Sequence, residues 1–233
     1  MGSKQKSLKR HLPFLIIAAI LFVAVAGGSL LYRSAQRQPA PNSNTSAGSA
    51  QPKVLPGAQP PHARGAEGAP VTLEEYGDFE CPPCGAFYPA LKRIEAEYGP
   101  EKLRVVFRQF PLVKIHKQAL LAAYAAEAAG LQGKFWEMYD KLYSDQATWT
   151  KSPDARPLFV NYARDIGLDV NQFMSDADGP QVQSRIMADF QRGKSLGVVG
   201  TPTIFVNGRQ LPATATEKDI HDAINAGLGV KGE

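Results

Sequence analysis

The chain has two cysteines among its 233 residues, and they stand together in "EEYGDFECPPCGAFYP", residues 74–89. Only Pro82 and Pro83 separate Cys81 from Cys84. Such a pair admits three chemistries: a structural disulfide, part of a metal site, or a thiol pair that exchanges electrons with other thiols. A disulfide across two residues removes little unfolded-chain entropy, so a staple here would add little stability. A metal would need further ligands, and beyond residue 68 the chain offers no other Cys and only His116 and His221 as imidazoles. The redox reading expects an exposed first sulfur that ionises readily and a covered second one. The start of a helix supplies the first, through unpaired N–H groups and the macrodipole.

The surrounding pattern provides that helix start. "VTLEEYGDF" is β-branched and aromatic up to Gly77 and reads as a strand. Phe87, Leu91, Ile94 and Tyr98 then recur on one helical face, and Gly99-Pro100 stops the helix. Pro82 falls in the first turn, where its missing N–H is not needed. "LRVVFRQF" at 103–110 reads as a second strand. Helical segments follow around Leu120–Ala128, in "KFWEMYDKLY", in "PDARPLFVNYARDIG" and around Val182, Ile186 and Phe190. "TPTIFVNGRQL" reads as strand, Asn-Gly turn, strand, and Thr216 as the N-cap of a last helix. The predicted class is α/β, ordered β, α, β, helical block, β-hairpin, α.

Two carboxylates precede the cysteines. Strand alternation puts Glu74 and Glu75 on opposite faces, so one is expected to point inward. Alternation alone does not say which of the two it is. His116 reads as a polar residue at a helix start.

Compartment decides what the thiols are for. Residues 1–11 form a short basic tail, with Lys4, Lys6, Lys9 and Arg10, predicted to be cytoplasmic. An uncharged run of 21 residues follows, Leu12 to Tyr32, long enough for one N-terminal transmembrane helix. The flanking positive charges keep the N-terminus inside and export the remainder. "AVAG" at 24–27 offers the alternative of a signal peptide cleaved after Ala26. Residues 33–68 are rich in Pro, Ser, Gly and Ala and are expected to be a disordered linker, with one domain at 69–233. Residues 1–68 hold eight Lys and Arg against the single acid Glu67, and residues 69–233 hold 18 against 21 acids. The formal charge of +4 thus belongs to the leading segment, and the domain lacks the basic surface that a nucleic-acid partner requires.

"CPPC" after a strand, Pro89 eight residues beyond the first Cys, the distant "GTPTIFVNG" and the helical block between them resemble the DsbA-like thiol:disulfide oxidoreductases of the thioredoxin superfamily. The resemblance covers about residues 69–229. It implies a thioredoxin fold with a helical insertion at about 113–197, and a cis-proline loop at Thr201-Pro202 that faces the cysteines and holds substrate. It also implies a kink at Pro89 and a buried acid at Glu75 that accepts a proton from Cys84, which leaves Glu74 as the surface carboxylate. By that resemblance Cys81 makes a mixed disulfide and Cys84 resolves it, with no cofactor beyond the redox-active disulfide Cys81–Cys84. The implied partners are reduced or unfolded exported proteins and a membrane quinone-linked reoxidising protein. The same pair could run as a reductase or isomerase, and a metal-binding or chaperone module is the alternative of another class. DsbA itself carries Pro-His between its cysteines. Pro82-Pro83 withholds an N–H and an imidazolium, and Glu80 adds a like charge beside Cys81, so a less oxidising pair is expected.

Overall fold

The computed structural model describes residues 54–230. The predicted basic tail, transmembrane run and first part of the linker (33–53) lie outside the described residues. Among the described residues, no helix is long and apolar enough to cross a membrane.

Among the described residues five strands, β1 (His62–Arg64), β2 (Val71–Gly77), β3 (Leu103–Gln109), β4 (Thr203–Val206) and β5 (Arg209–Gln210), form one mixed sheet in the order β1-β3-β2-β4-β5. β2 (Val71–Gly77) and β3 (Leu103–Gln109) run parallel, with Glu75 opposite Phe107. Their crossover is helix α1 (Pro82–Tyr98), which ends where Gly99 takes a φ of 71°. β4 (Thr203–Val206) lies antiparallel to β2 on its other side and places Ile204 opposite Glu75. The hairpin to β5 (Arg209–Gln210) turns on Asn207 (φ 47°) and Gly208 (φ 77°), the left-handed pair that an Asn-Gly turn needs. The last helix, Glu217–Gly227, starts on a full capping box between Thr216 and Asp219.

Between β3 and β4 lies the helical block: α2 (Ala119–Leu131), α3 (Phe135–Ser144), the single turn α4 (Gln146–Trp149), α5 (Arg156–Asp165), α6 (Val170–Ala177) and α7 (Pro180–Ser195). The final helix is therefore α8. Sequence periodicity did not resolve α4 or α6, which are one and two turns long. α4 is held by Trp149, fully buried, whose Nε1 donates to the Leu142 carbonyl at 2.7 Å. Truncating such a ring to Ala costs roughly 3–5 kcal/mol. α2 is rich in alanine and buried on most sides, and so sits at the centre of the block.

The expected linker 33–68 is corrected over its last part. Residues 62–64 form β1 (His62–Arg64), paired antiparallel with β3, and the segment before it is strapped to the domain. Composition missed this because the strap is held by its backbone, not by apolar side chains. Three arginines collect its carbonyls: Arg192 donates to Leu55 at 2.9 Å, Arg108 to Ala58 at 2.9 Å, and Arg185 to Gln59 and Pro60 at 3.1 and 3.0 Å. The Ala58 N–H donates to Asp189 Oδ1 at 2.8 Å.

The same network corrects Glu74. Alternation does turn it to the face opposite Glu75, but α7 and the strap cover that face. Glu74 therefore accepts from Arg108 Nε at 2.7 Å and Arg192 Nε at 3.4 Å instead of facing solvent.

Candidate active site

Cys81 is the N-cap of α1, with extended backbone (φ −68°, ψ 120°), and its N–H closes a turn onto the Asp78 carbonyl at 3.1 Å. Pro82 and Pro83 open the helix, which puts Cys84 on its first turn and points it inward among Phe79, Phe107, Tyr139 and Tyr143. Both thiols are unpaired. Cys84 is fully buried, and Cys81 is only 4 % exposed. The openly exposed first sulfur expected from the sequence is thus corrected. The loop before β4 lies over it, with the Thr201 carbonyl oxygen accepting from Sγ at 3.3 Å. The Thr201–Pro202 bond is cis.

The two thiols are driven apart electrostatically. The Cys81 thiol is lowered to about 6, first by the hydrogen bond from the Cys84 side chain. Burial opposes this, while the Thr201 side chain and the Cys84 backbone N–H also lower it. Among the described residues the Thr201 hydroxyl is buried with no hydrogen-bond partner, which leaves it free to serve a thiolate. Cys84 is pushed well up, first by burial and then by its bond to Cys81 and the nearby Glu75 charge. One sulfur is prepared to be an anion and the other a thiol.

Glu75 lies on the face of β2 that meets α1 and α3, 1 % exposed. Burial raises its carboxyl to about 8, and the nearby Glu95 and Cys81 charges add to the rise. A hydrogen bond from the Tyr139 hydroxyl to Oε2, 3.4 Å long, opposes it. At neutral pH this acid holds its proton and can donate it to a departing Cys84 thiolate; once ionised, it can accept the proton of the Cys84 thiol.

Sequence reasoning missed three residues that shape the site. Asp78 is buried and accepts from the Glu80 and Leu112 N–H groups, both at 2.8 Å, and pairs with His116 Nδ1 at 2.7 Å. Its charge opposes the Cys81 thiolate. The like charge assigned to Glu80 therefore belongs to Asp78, since Glu80 turns away to accept from the Gln118 N–H at 2.5 Å. His116, read as a plain helix-start residue, is Asp78's partner. Gln146 of α4 donates to the carbonyls of Phe79 and Cys81 at 2.7 and 3.0 Å, pinning the turn that carries the thiol. Tyr139 is the third. No local signal marks these roles, because the contacts of Asp78 with Leu112 and His116, of Gln146 with Phe79 and Cys81, and of Tyr139 with Glu75 all join distant parts of the chain.

Pro89 lies inside α1 and leaves the carbonyl four residues back, that of Gly85, without its helical donor. A shallow cleft beside Pro202 is lined by Phe87, Ile204, Leu211 and Ile220. Val113, Ile115 and Val199 stand exposed on the other flank. Among the described residues, no group of three or more His, Cys, Asp or Glu is arranged to hold a metal.

A family model described as Thioredoxin matches residues 58–226. Curated relatives include proteins named Na(+)/H(+) antiporter NhaA 1. The one from Salinispora arenicola is 42% identical over 150 residues, 64% of this chain and 22% of that protein. The one from Mycolicibacterium gilvum is 37% identical over 172 residues, 72% of this chain and 27% of that protein. The chain thus spans about a quarter of the length of these relatives. Among solved structures, a thioredoxin-like oxidoreductase from Silicibacter pomeroyi DSS-3 is 25% identical with a TM-score of 0.62, covering 73% of this chain and 94% of that one. BdbD from Bacillus subtilis matches in fold at 23% identity and TM-score 0.64 over 76% and 99% of the two chains. Wolbachia pipientis alpha-DsbA1 does so at 19% and 0.65 over 77% and 96%.

Proposed function

On the premise that the chain belongs to the thioredoxin family and has the build of a DsbA-like protein disulfide oxidoreductase, we propose that it forms disulfides in exported proteins through Cys81 and Cys84. A substrate thiolate attacks Sγ of Cys81 in the oxidised pair, and the bond to Cys84 breaks. Cys84 leaves as a thiolate and takes the proton of Glu75. A second substrate thiolate then attacks the substrate sulfur of the mixed disulfide and expels Cys81 as a thiolate. Two electrons pass from the substrate to the pair. A membrane quinone-linked protein accepts them and restores the disulfide.

The observation that carries this reading is the split between the two thiols. A Cys81 thiol at about 6 makes a good leaving group at neutral pH, and a protonated acid stands ready for Cys84. Thr201 and Pro202 hold the substrate backbone beside Cys81, and Pro82 and Pro83 tune the pair by the donors they withhold. The run at residues 12–32 tethers the domain to the outer face of the cell membrane, with the N-terminus cytoplasmic. The antiporter names belong to much longer proteins, and no transport activity is carried over from them.

The test is to mix the oxidised full chain, in detergent, with a reduced unfolded substrate and follow thiol loss. Given a disulfide-bonded substrate instead, reduced Cys84→Ser should accumulate a substrate disulfide at Cys81, because the thiol that would release it is gone, and Cys81→Ser should be inert. Stoichiometric disulfide formation supports the oxidase. If the reduced chain instead opens substrate disulfides and the oxidised chain closes none, the pair runs as a reductase or isomerase.

A further inference from the structure

Tyr139 and Tyr143 lie one turn apart on α3, and both are buried beside the dithiol. They serve different oxygens. The Tyr143 hydroxyl donates to the Asp78 carbonyl at 3.4 Å, whereas Tyr139 donates to the Glu75 carboxylate. Among the described residues, Tyr139 supplies the side-chain hydrogen bond that this carboxylate receives. The donor is locked in place, with its ring edge-on to Phe79, Phe107 and Tyr143 at 5.8, 5.2 and 4.9 Å between centroids. On its far side the Arg64 guanidinium lies 5.5 Å from the ring and binds Glu95 and Asp140.

A carboxylate only 1 % exposed is cut off from bulk solvent, so its ionised form depends on the donors the protein provides. A hydroxyl aimed at it favours the charged state selectively, because an ionised acceptor binds a donor more strongly than a neutral one. The bond is long at 3.4 Å, and such contacts tighten as charge develops on the acceptor.

We infer that Tyr139 is a positioning residue for the proton step between Glu75 and Cys84, holding the carboxyl in place and stabilising its anion when the proton moves to or from the sulfur. This rests on the thiol-exchange reading above. The proton travels between the Glu75 carboxyl and the Cys84 sulfur only. Tyr139 keeps its own proton and donates a hydrogen bond throughout.

The test follows the full-length reduced chain, in detergent, mixed with oxidised glutathione from pH 5.5 to 9. The first phase forms the Cys81–glutathione disulfide, and the second is its release by Cys84, in which Glu75 accepts the proton. Tyr139→Phe keeps the ring and removes the donor. It should move the pH midpoint of release upward by about one unit and slow release about tenfold below that midpoint. Formation should stay unchanged.

In a Glu75→Gln background the Tyr139→Phe change should move nothing further, since there is no anion left to stabilise. A carbon-13 titration of the Glu75 carboxyl in the resting reduced chain should show the same upward shift without any kinetics. If Glu75→Gln slows release but Tyr139→Phe leaves both midpoint and titration in place, the inference about Tyr139 is wrong and the role of Glu75 stands. If Glu75→Gln releases glutathione with the wild-type profile, the role of Glu75 is itself wrong and Tyr139 falls with it.

Discussion

The sulfur of Cys81 lies 3.3 Å from the carbonyl oxygen of Thr201, 120 residues further along the chain. The pairing of β4 beside β2 creates this contact, because Cys81 follows the end of one strand and Thr201 precedes the start of the other. The lid over the thiol is therefore backbone. The Thr201 side chain at that position lowers the Cys81 thiol, so the same loop both covers the sulfur and favours its thiolate.

The first prediction concerns the two thiols. Iodoacetamide should modify Cys81 of the reduced chain with a pH midpoint near 6, while Cys84 stays unmodified through pH 8, since burial holds it up. Mass spectrometry of the alkylated peptides reads this directly. Equal labelling of both sulfurs would refute the division of roles.

The dipeptide sets the second. A hydrogen bond to a charged acceptor contributes roughly 1.5–3 kcal/mol, and for two electrons 30 mV corresponds to about 1.4 kcal/mol. The donor that Pro83 withholds is therefore worth roughly 30–60 mV. The potential should lie between the roughly −120 mV of DsbA and the roughly −270 mV of thioredoxin. Pro83→His should raise it and lower the Cys81 pKa together, as measured against a glutathione buffer. An unchanged or more negative value would show that the dipeptide does not set the poise.

Glu75 gives a stability prediction with a definite sign. Folding raises its pKa from 4.5 to about 8, so the native state retains a proton that the unfolded chain loses. Its contribution therefore turns unfavourable as pH rises from 4.5, growing to about 3 kcal/mol at pH 7 and levelling off above 8. Glu75→Gln should stabilise the reduced chain by about that much at pH 7 and by little at pH 4, in urea denaturation. An equal gain at both pH values would mean that the carboxyl is not titrating in the fold.

The strap supplies the last. Arg108 is buried, and Asp189 binds its Nη1 at 2.9 Å and the Ala58 N–H at 2.8 Å. Asp189→Ala removes the acceptor from both and leaves a buried cation with Glu74 as its remaining carboxylate partner. Losing one member of such a pair costs about 3–5 kcal/mol. Limited proteolysis should then cut between residues 54 and 60, where the wild type resists. Unchanged protection there would show that the strap is held by other contacts.

What the sequence by itself determined is the local machinery. Cys-Pro-Pro-Cys sits at a helix start because a strand ends at Gly77 and Pro82 suits a first turn. Asn207-Gly208 turns the hairpin through left-handed backbone, and Thr216 caps the last helix. Each rests on physics that spans a few residues, so a few residues disclose it. Strand alternation likewise separated Glu75 from Glu74, but it could not say what covers either face. That was settled only when α3 closed over Glu75 and α7 with the strap closed over Glu74. The charge opposing the thiolate passed from Glu80 to Asp78 for the same reason, since the loop at Leu112–His116 supplies Asp78 with donors. A segment of Pro, Gly and Ala became a strap because arginines from three distant positions bind its carbonyls. Burial and long-range hydrogen bonding set the surroundings of each of these groups, and both depend on neighbours that only the folded chain brings together.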